Sequence, residues 1–156
     1  MSVTHGRTPK LVSGVYRIIN EASQSTIRVH QHAQPLLLSY RYELLGVFEQ
    51  WELTVQDKGS YELRCMGLTL GQVGIENGVC IINGGNPVTF DIDSIGDGLY
   101  TVKAPGDGQY WGIEQSPTRQ KPEVAVKLAS APSADGEFES TQLWRFERLD
   151  DDASHH

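Results

Sequence analysis

Gly14-Val-Tyr16-Arg-Ile18 returns as Gly59-Ser-Tyr61-Glu-Leu63 and again as Gly98-Leu-Tyr100-Thr-Val102, the tyrosines standing 45 and 39 residues apart. A second pattern, an aromatic residue followed two later by an apolar one, occurs as Trp51-Glu-Leu53, Phe90-Asp-Ile92 and Trp144-Arg-Phe146. Trp51 precedes Tyr61 by ten residues, and Phe90 precedes Tyr100 by ten. Two signatures in one register mark an internal repeat, and a repeat of this period is a supersecondary unit that cannot bury its apolar face alone.

Each copy alternates apolar and polar residues, the period of a strand with one buried face. The junctions Asp57-Lys58-Gly59 and Gly96-Asp97-Gly98 carry the residues that tight hairpins favour. Two further candidate strands lie in each copy: residues 26–29 with 36–40, 72–75 with 79–82, and 110–113 with 123–128. No apolar stripe at helical spacing persists for three turns. Residues 36–45 come nearest, and their three leucines after Pro35 suit a buried strand equally well. Three copies of about four strands predict an all-β chain, a twelve-strand β-trefoil in which six strands form a barrel and six form hairpins capping one end. The repeated Tyr, Trp and Phe positions are then plugs of a shared core, each burial worth roughly 2–3 kcal/mol. A β-sandwich could hold as many strands but does not account for the matched offsets.

The predicted trefoil domain is 13–149, with repeats at about 14–56, 57–95 and 96–149. It follows an N-terminal extension, 1–12, and precedes an acidic tail, 150–156, whose two terminal histidines are given no metal role.

Among 156 residues, 13 are Lys or Arg and 20 are Asp or Glu, a net charge of −7. Nucleic acid and anionic membranes both require a basic face, so neither is an expected partner. No apolar run reaches the ~18–20 residues that span a bilayer. The polar start lacks the apolar stretch of a secretory signal, so the expected location is cytoplasmic. Cys65 and Cys80 read as buried small hydrophobes whose strand alternation points them to opposite faces.

The chain has no Gly-x-Ser-x-Gly elbow, no phosphate-cradling loop ending in Lys-Ser/Thr and no His-Glu-x-x-His. Neither an enzyme nor a cofactor is expected. His30 and His32 offer two metal ligands with no third at a matching spacing, so no metal is expected either. Asp91 and Asp93 alternate onto the outer face of a strand. Function therefore belongs to the irregular stretches 29–35, 39–48, 115–122 and 129–141.

Six stretches carry a resemblance. They are Gly14-Val-Tyr-Arg-Ile-Ile-Asn20, Glu49-Gln-Trp51-Glu-Leu53, Gly59-Ser-Tyr61, Gln72-Val-Gly-Ile-Glu-Asn77, Tyr110-Trp-Gly-Ile113 and Gln142-Leu-Trp-Arg-Phe146. Across 12–149 the chain resembles the mushroom β-trefoil serine-protease inhibitors of the cospin and cnispin group. The resemblance implies inhibition of trypsin-like enzymes by a loop between the second and third strands. Here that loop holds Arg28, Val29, His30, Gln31, His32 and Ala33. Arg28 suits an acidic pocket if its strand ends early enough to expose it; otherwise it is an outward strand residue.

Two other inhibitory positions follow from related inhibitors. Lys58 stands where plant trypsin inhibitors of this fold carry their reactive connection. Asn77, in the manner of the mushroom mycocypins, would face an Asn-cleaving cysteine protease, although an Asn-Gly pair such as Asn77-Gly78 is far more often just a hairpin turn. The rival reading is a lectin. Gln142-Leu-Trp144 matches the Gln-x-Trp motif of ricin-type sugar-binding proteins, and Asp107, Tyr110 and Trp111 would form the sugar surface. Trp111 follows Tyr100 by eleven residues, as Ile27 follows Tyr16, which gives it a core role as the alternative. The partner expected is a protease or, on the rival reading, a glycan.

Overall fold

In the computed structural model, residues 11–29, 34–40, 46–106, 108–131 and 137–149 are described. Most of the two predicted tails, and residues 30–33, 41–45, 107 and 132–136, lie outside them. The strands are β1 (Gly14–Asn20), β2 (Leu37–Ser39), β3 (Trp51–Val55), β4 (Tyr61–Cys65), β5 (Val73–Glu76) and β6 (Val79–Ile82). They continue as β7 (Asp91–Gly96), β8 (Leu99–Lys103), β9 (Gln109–Gly112), β10 (Glu123–Ala125), β11 (Lys127–Ser130) and β12 (Trp144–Arg148). Short 3-10 turns at Gly46–Glu49 and Ser140–Gln142 lead into β3 and β12.

Six strands close on themselves. β1 pairs with β12 and β3, β3 with β4, β12 with β8 and β8 with β7, all antiparallel. The ring is completed where Tyr61, at the start of β4, bridges Phe90, at the entrance to β7. The remaining strands form the cap: β5 with β6, β9 with β11 and β10 with β2, tied together by the pairs Lys127↔Val79 and Pro35↔Ile81. The chain is a β-trefoil, as the repeat predicts.

The three copies meet in a cycle of backbone hydrogen bonds. Leu36 N–H donates to the Cys80 carbonyl at 2.9 Å, Cys80 N–H to Val126 at 3.1 Å, and Val126 N–H to Leu36 at 2.9 Å. All three residues are fully buried, so this triangle lies on the pseudo-threefold axis inside the cap. It explains one departure from the predicted strands. The stretch 123–128 breaks at Val126 into β10 and β11, because Val126 turns its backbone to the other repeats. The predicted strand 26–29 is reduced to the isolated bridges Ile19↔Thr26 and Arg28↔Leu37.

The repeated aromatics fill the core. Trp51, Trp111, Trp144 and Phe90 are fully buried, and Tyr16 and Tyr61 nearly so. Trp111 meets Phe90 edge-on at 5.2 Å and Trp144 at 5.8 Å, while Phe146 takes Tyr16 at 6.1 Å and Tyr100 at 5.5 Å. Hydroxyls of two repeat tyrosines close the lower end of the chain: Tyr16 donates to the Val12 carbonyl at 2.8 Å and Tyr61 to Leu11 at 2.7 Å. Asp91 and Asp93 face solvent on either side of buried Ile92, matching the outer-face reading.

Candidate functional site

The connections between a repeat's second and third strands differ in length. By strand register, the axial residue follows its second-strand counterpart by nine residues in the first copy (Ile27 to Leu36) and by seven in the second (Val73 to Cys80). In the third copy, Trp111 to Val126, the interval is fifteen. The third repeat therefore carries an insertion of six residues relative to the first and eight relative to the second, in a scaffold otherwise nearly threefold.

In the first repeat the connection is pinned at both ends. Val29, fully buried, donates its N–H to the Phe48 carbonyl at 3.2 Å, and Arg28 and Leu37 exchange backbone bonds of 2.9 Å each way. On the return side Gln34 accepts from Ile82 N–H at 3.1 Å. His30, Gln31, His32 and Ala33 lie outside the described residues. Arg28 is only 5% exposed, so its guanidinium is packed within the protein instead of being presented as a surface hook. Neither alternative foreseen for it, an exposed loop cation or an outward strand residue, describes that position.

Lys58 and Asn77 occupy tight turns. Around Lys58, Gln56 N–H donates to Ser60 at 2.8 Å and Gly59 N–H returns to Gln56 at 2.9 Å, with Gly59 at φ +84°. Asn77 and Gly78 join β5 to β6 with φ of +54° and +76°, the backbone of a two-residue hairpin turn. Both side chains are exposed.

The third-repeat surface divides. Asp107 lies outside the described residues. Tyr110 is half-buried with its ring edge-on to Phe138 at 4.8 Å. Trp111 is fully buried between Phe90 and Trp144, leaving no ring face for a sugar; the core alternative holds. Gln142 of the Gln-x-Trp motif is also buried and donates its amide to the Ser130 carbonyl at 3.1 Å. A cleft of about 350 Å³ runs between β9, β11 and the Ser140–Gln142 turn, with the Lys127–Glu114 ion pair (3.4 Å) in one wall and Glu139 in another.

The stretch 115–122 is among the irregular segments to which the sequence assigns function, but none of its residues is among the named site candidates. Within Gln115-Ser-Pro117-Thr-Arg119-Gln-Lys121-Pro122 the side chains of Arg119, Gln120 and Lys121 are exposed, while Ser116, Pro117 and Thr118 are half-buried. Tyr40 N–H donates to the Pro122 carbonyl at 2.6 Å and fixes the far end. The signal was available in the sequence: the unequal spacing, and two prolines bracketing a cationic tip.

The titratable groups with displaced behaviour are structural. Burial pushes the Cys80 thiol far up and the Cys65 thiol up, and the two are free. Burial raises Tyr61, with Tyr16 and Tyr100 adding to it, and raises Tyr100. Glu21 is held low by its hydrogen bond from Arg145, whose Nε lies 2.8 Å away. Among the described residues no cluster of three or more His, Cys, Asp or Glu is placed to hold a metal. No described helix is long and apolar enough to cross a membrane.

No family model and no curated protein matches the sequence. Solved structures do match the fold. A designed threefold-symmetric protein, ThreeFoil, aligns with a TM-score of 0.70 at 22% identity, over 87% of this chain and 99% of its own. A ricin B-like lectin from Macrolepiota procera, solved with lactose, aligns at 0.68 and 18% identity, over 91% and 100%. A proteinase inhibitor from Coprinopsis cinerea aligns at 0.67 and 16% identity, over 90% and 100%. At these identities the likeness establishes the β-trefoil and nothing finer.

Proposed function

We propose that this chain is a protease inhibitor that docks a braced surface loop into the cleft of a trypsin-like serine protease. The observation that carries the reading is the anchoring of the second-to-third-strand connections. Val29 and Leu36 flank residues 30–33, and Ile113 and Val124 flank the third-repeat insertion; all four are buried. A loop whose ends are fixed in a packed core loses little conformational entropy on docking, so more of its contact energy appears as affinity. The Coprinopsis proteinase inhibitor among the structural neighbours supports the same direction. Residues 30–33 are the first repeat's candidate for contact, and 114–122 the third's.

The lectin reading has less to build on. Trp51, Trp111 and Trp144 are all committed to the core. Of the named sugar candidates among the described residues, Tyr110 keeps part of its surface, half-buried beside Phe138.

Retention on an immobilised trypsin-like protease tests the proposal. The chain is expected to bind, to be displaced by benzamidine, which fills the protease's specificity pocket, and to be indifferent to free lactose. Passage through both serine- and cysteine-protease columns, or capture by a glycan resin reversed by lactose, contradicts it.

A further inference from the structure

We infer that the third-repeat insertion, residues 114–122, is the protease-docking loop, and that Arg119 is the side chain that enters an acidic specificity pocket; the inference rests on the inhibitor reading above.

Four observations converge on it. The first is the insertion itself: the three connections occupy equivalent places on one pseudo-symmetric cap, yet the interval is fifteen residues in the third against nine and seven in the others. Closing the cap does not require the extra residues, since the other two repeats close it without them. Added loop length on a rigid scaffold is where function is concentrated.

The second is chemistry. Between Gln115 and Pro122 the segment carries Arg119 and Lys121 and no acid, in a chain of net charge −7. Arg17, Arg64, Lys127 and Arg145 are each engaged by a carboxylate at 2.8–3.4 Å. Arg119 is exposed and has no such partner among the described residues. An exposed guanidinium can form a bidentate pair with a carboxylate at the base of a protease pocket, the recognition that trypsin-like specificity depends on.

Backbone shape is the third. The chain bends at 119–121 and runs without a bend through 116–118, and the left-handed backbone that would turn a docking segment out of a cleft is absent from it. Positive φ among the described residues occurs at Gln24, Leu70, Asn77, Asp97 and seven glycines, none of them in 114–122. Pro117 and Pro122 fix their own φ and bias Ser116 and Lys121 towards extended backbone. Lys58 and Asn77 fare worse on this count, since Asn77 itself sits at φ +54° and Lys58 runs directly into Gly59 at +84°.

The fourth is bracing. Ile113 is buried at the near end; at the far end Tyr40 N–H holds Pro122 and Glu123 pairs with Ser39. Inside the loop Thr118 N–H donates to the Lys121 carbonyl at 2.9 Å, and Lys121 N–H donates to Thr118 Oγ1 at 3.0 Å. These two bonds leave Arg119 and Gln120 at the tip. Lys121 is the lesser choice for the pocket because it is followed by Pro122, whose ring nitrogen carries no hydrogen for the cleft to bind.

The experiment is a set of inhibition constants against trypsin for the full chain and three variants: Arg119→Ala, Arg119→Lys and Lys121→Ala. Arg119 is exposed, so the variants should unfold at the parent's denaturant midpoint. Arg119→Ala is expected to weaken inhibition by about a hundredfold or more, the size of an interface hot spot. Arg119→Lys is expected to stay within about tenfold of the parent, and Lys121→Ala within about threefold. If the parent inhibits and Arg119→Ala inhibits equally, the loop assignment is wrong while the inhibitor reading stands. If the parent leaves trypsin fully active at micromolar concentration, the inhibitor reading fails and takes this inference with it.

Discussion

The indole N–H of Trp144 donates to the backbone carbonyl of Trp111 at 3.3 Å, as that of Trp51 donates to Ile27 at 3.0 Å. Trp111 and Ile27 hold the same place in their repeats, so one bond recurs in two copies. In the second copy Phe90 stands at the corresponding position, with no donor to offer. Trp144→Phe keeps most of the ring and removes the donor, leaving a buried carbonyl unmatched. The expected loss is about 1–2 kcal/mol in denaturant unfolding. Trp144→Ala should cost about 3–5 kcal/mol, because it also opens a cavity beside Trp111. A Trp144→Phe chain as stable as the parent would show that the recurrent bond contributes nothing.

The two thiols should behave as core atoms. Cys80 belongs to the axial triangle and both sulfurs are buried, which holds them protonated and out of reach. A thiol-specific chromogenic reagent is expected to find no fast-reacting cysteine in the native chain and both after unfolding. Rapid labelling of Cys80 in the native chain would contradict the placement of the axis.

Alkaline pH should loosen the fold through the repeat tyrosines. Tyr61 and Tyr100 titrate above the ordinary value because burial favours the neutral phenol. Above the unfolded tyrosine pKa of about 10, the unfolded chain has released protons that the folded chain still holds. Stability therefore falls as pH rises past that point, and these groups add no pH dependence below it. Unfolding midpoints measured from pH 8 to 11 should show a decline beginning near 10. A flat profile through 11 would mean that the tyrosines ionise as freely folded as unfolded.

The fold was legible in the sequence because its two signatures sit on core positions. Tyr16, Tyr61 and Tyr100, with Trp51, Phe90 and Trp144, must each supply the same plug to one core, and such positions tolerate few residue types. The strand limits were less legible at the axis. Val126 ends a run that alternates well as a strand, and only its bonds to Leu36 and Cys80, set by the other two repeats, explain the break. Arg28 misled for a related reason. Period-two alternation assigns a face to a long strand, but 26–29 forms only isolated bridges, and the hairpin packing buried a guanidinium that sequence placed outside. Trp111 was read correctly where its offset from Tyr100 was compared with that of Ile27. The stretch 115–122 is legible as a function-bearing loop, but Arg119 is not singled out by the repeat signatures, because these lie on strands whereas the departure from symmetry lies in the length of the connection between them.

Amide hydrogen exchange, recorded for the chain alone and saturated with a trypsin whose catalytic serine is replaced by alanine, tests most directly whether a braced loop engages the partner. The account predicts slowed exchange confined to 114–122 and the residues flanking it, with the barrel strands and the β5–β6 turn unchanged. Protection spread over the cleft between β9 and β11, or no protection anywhere, would contradict it.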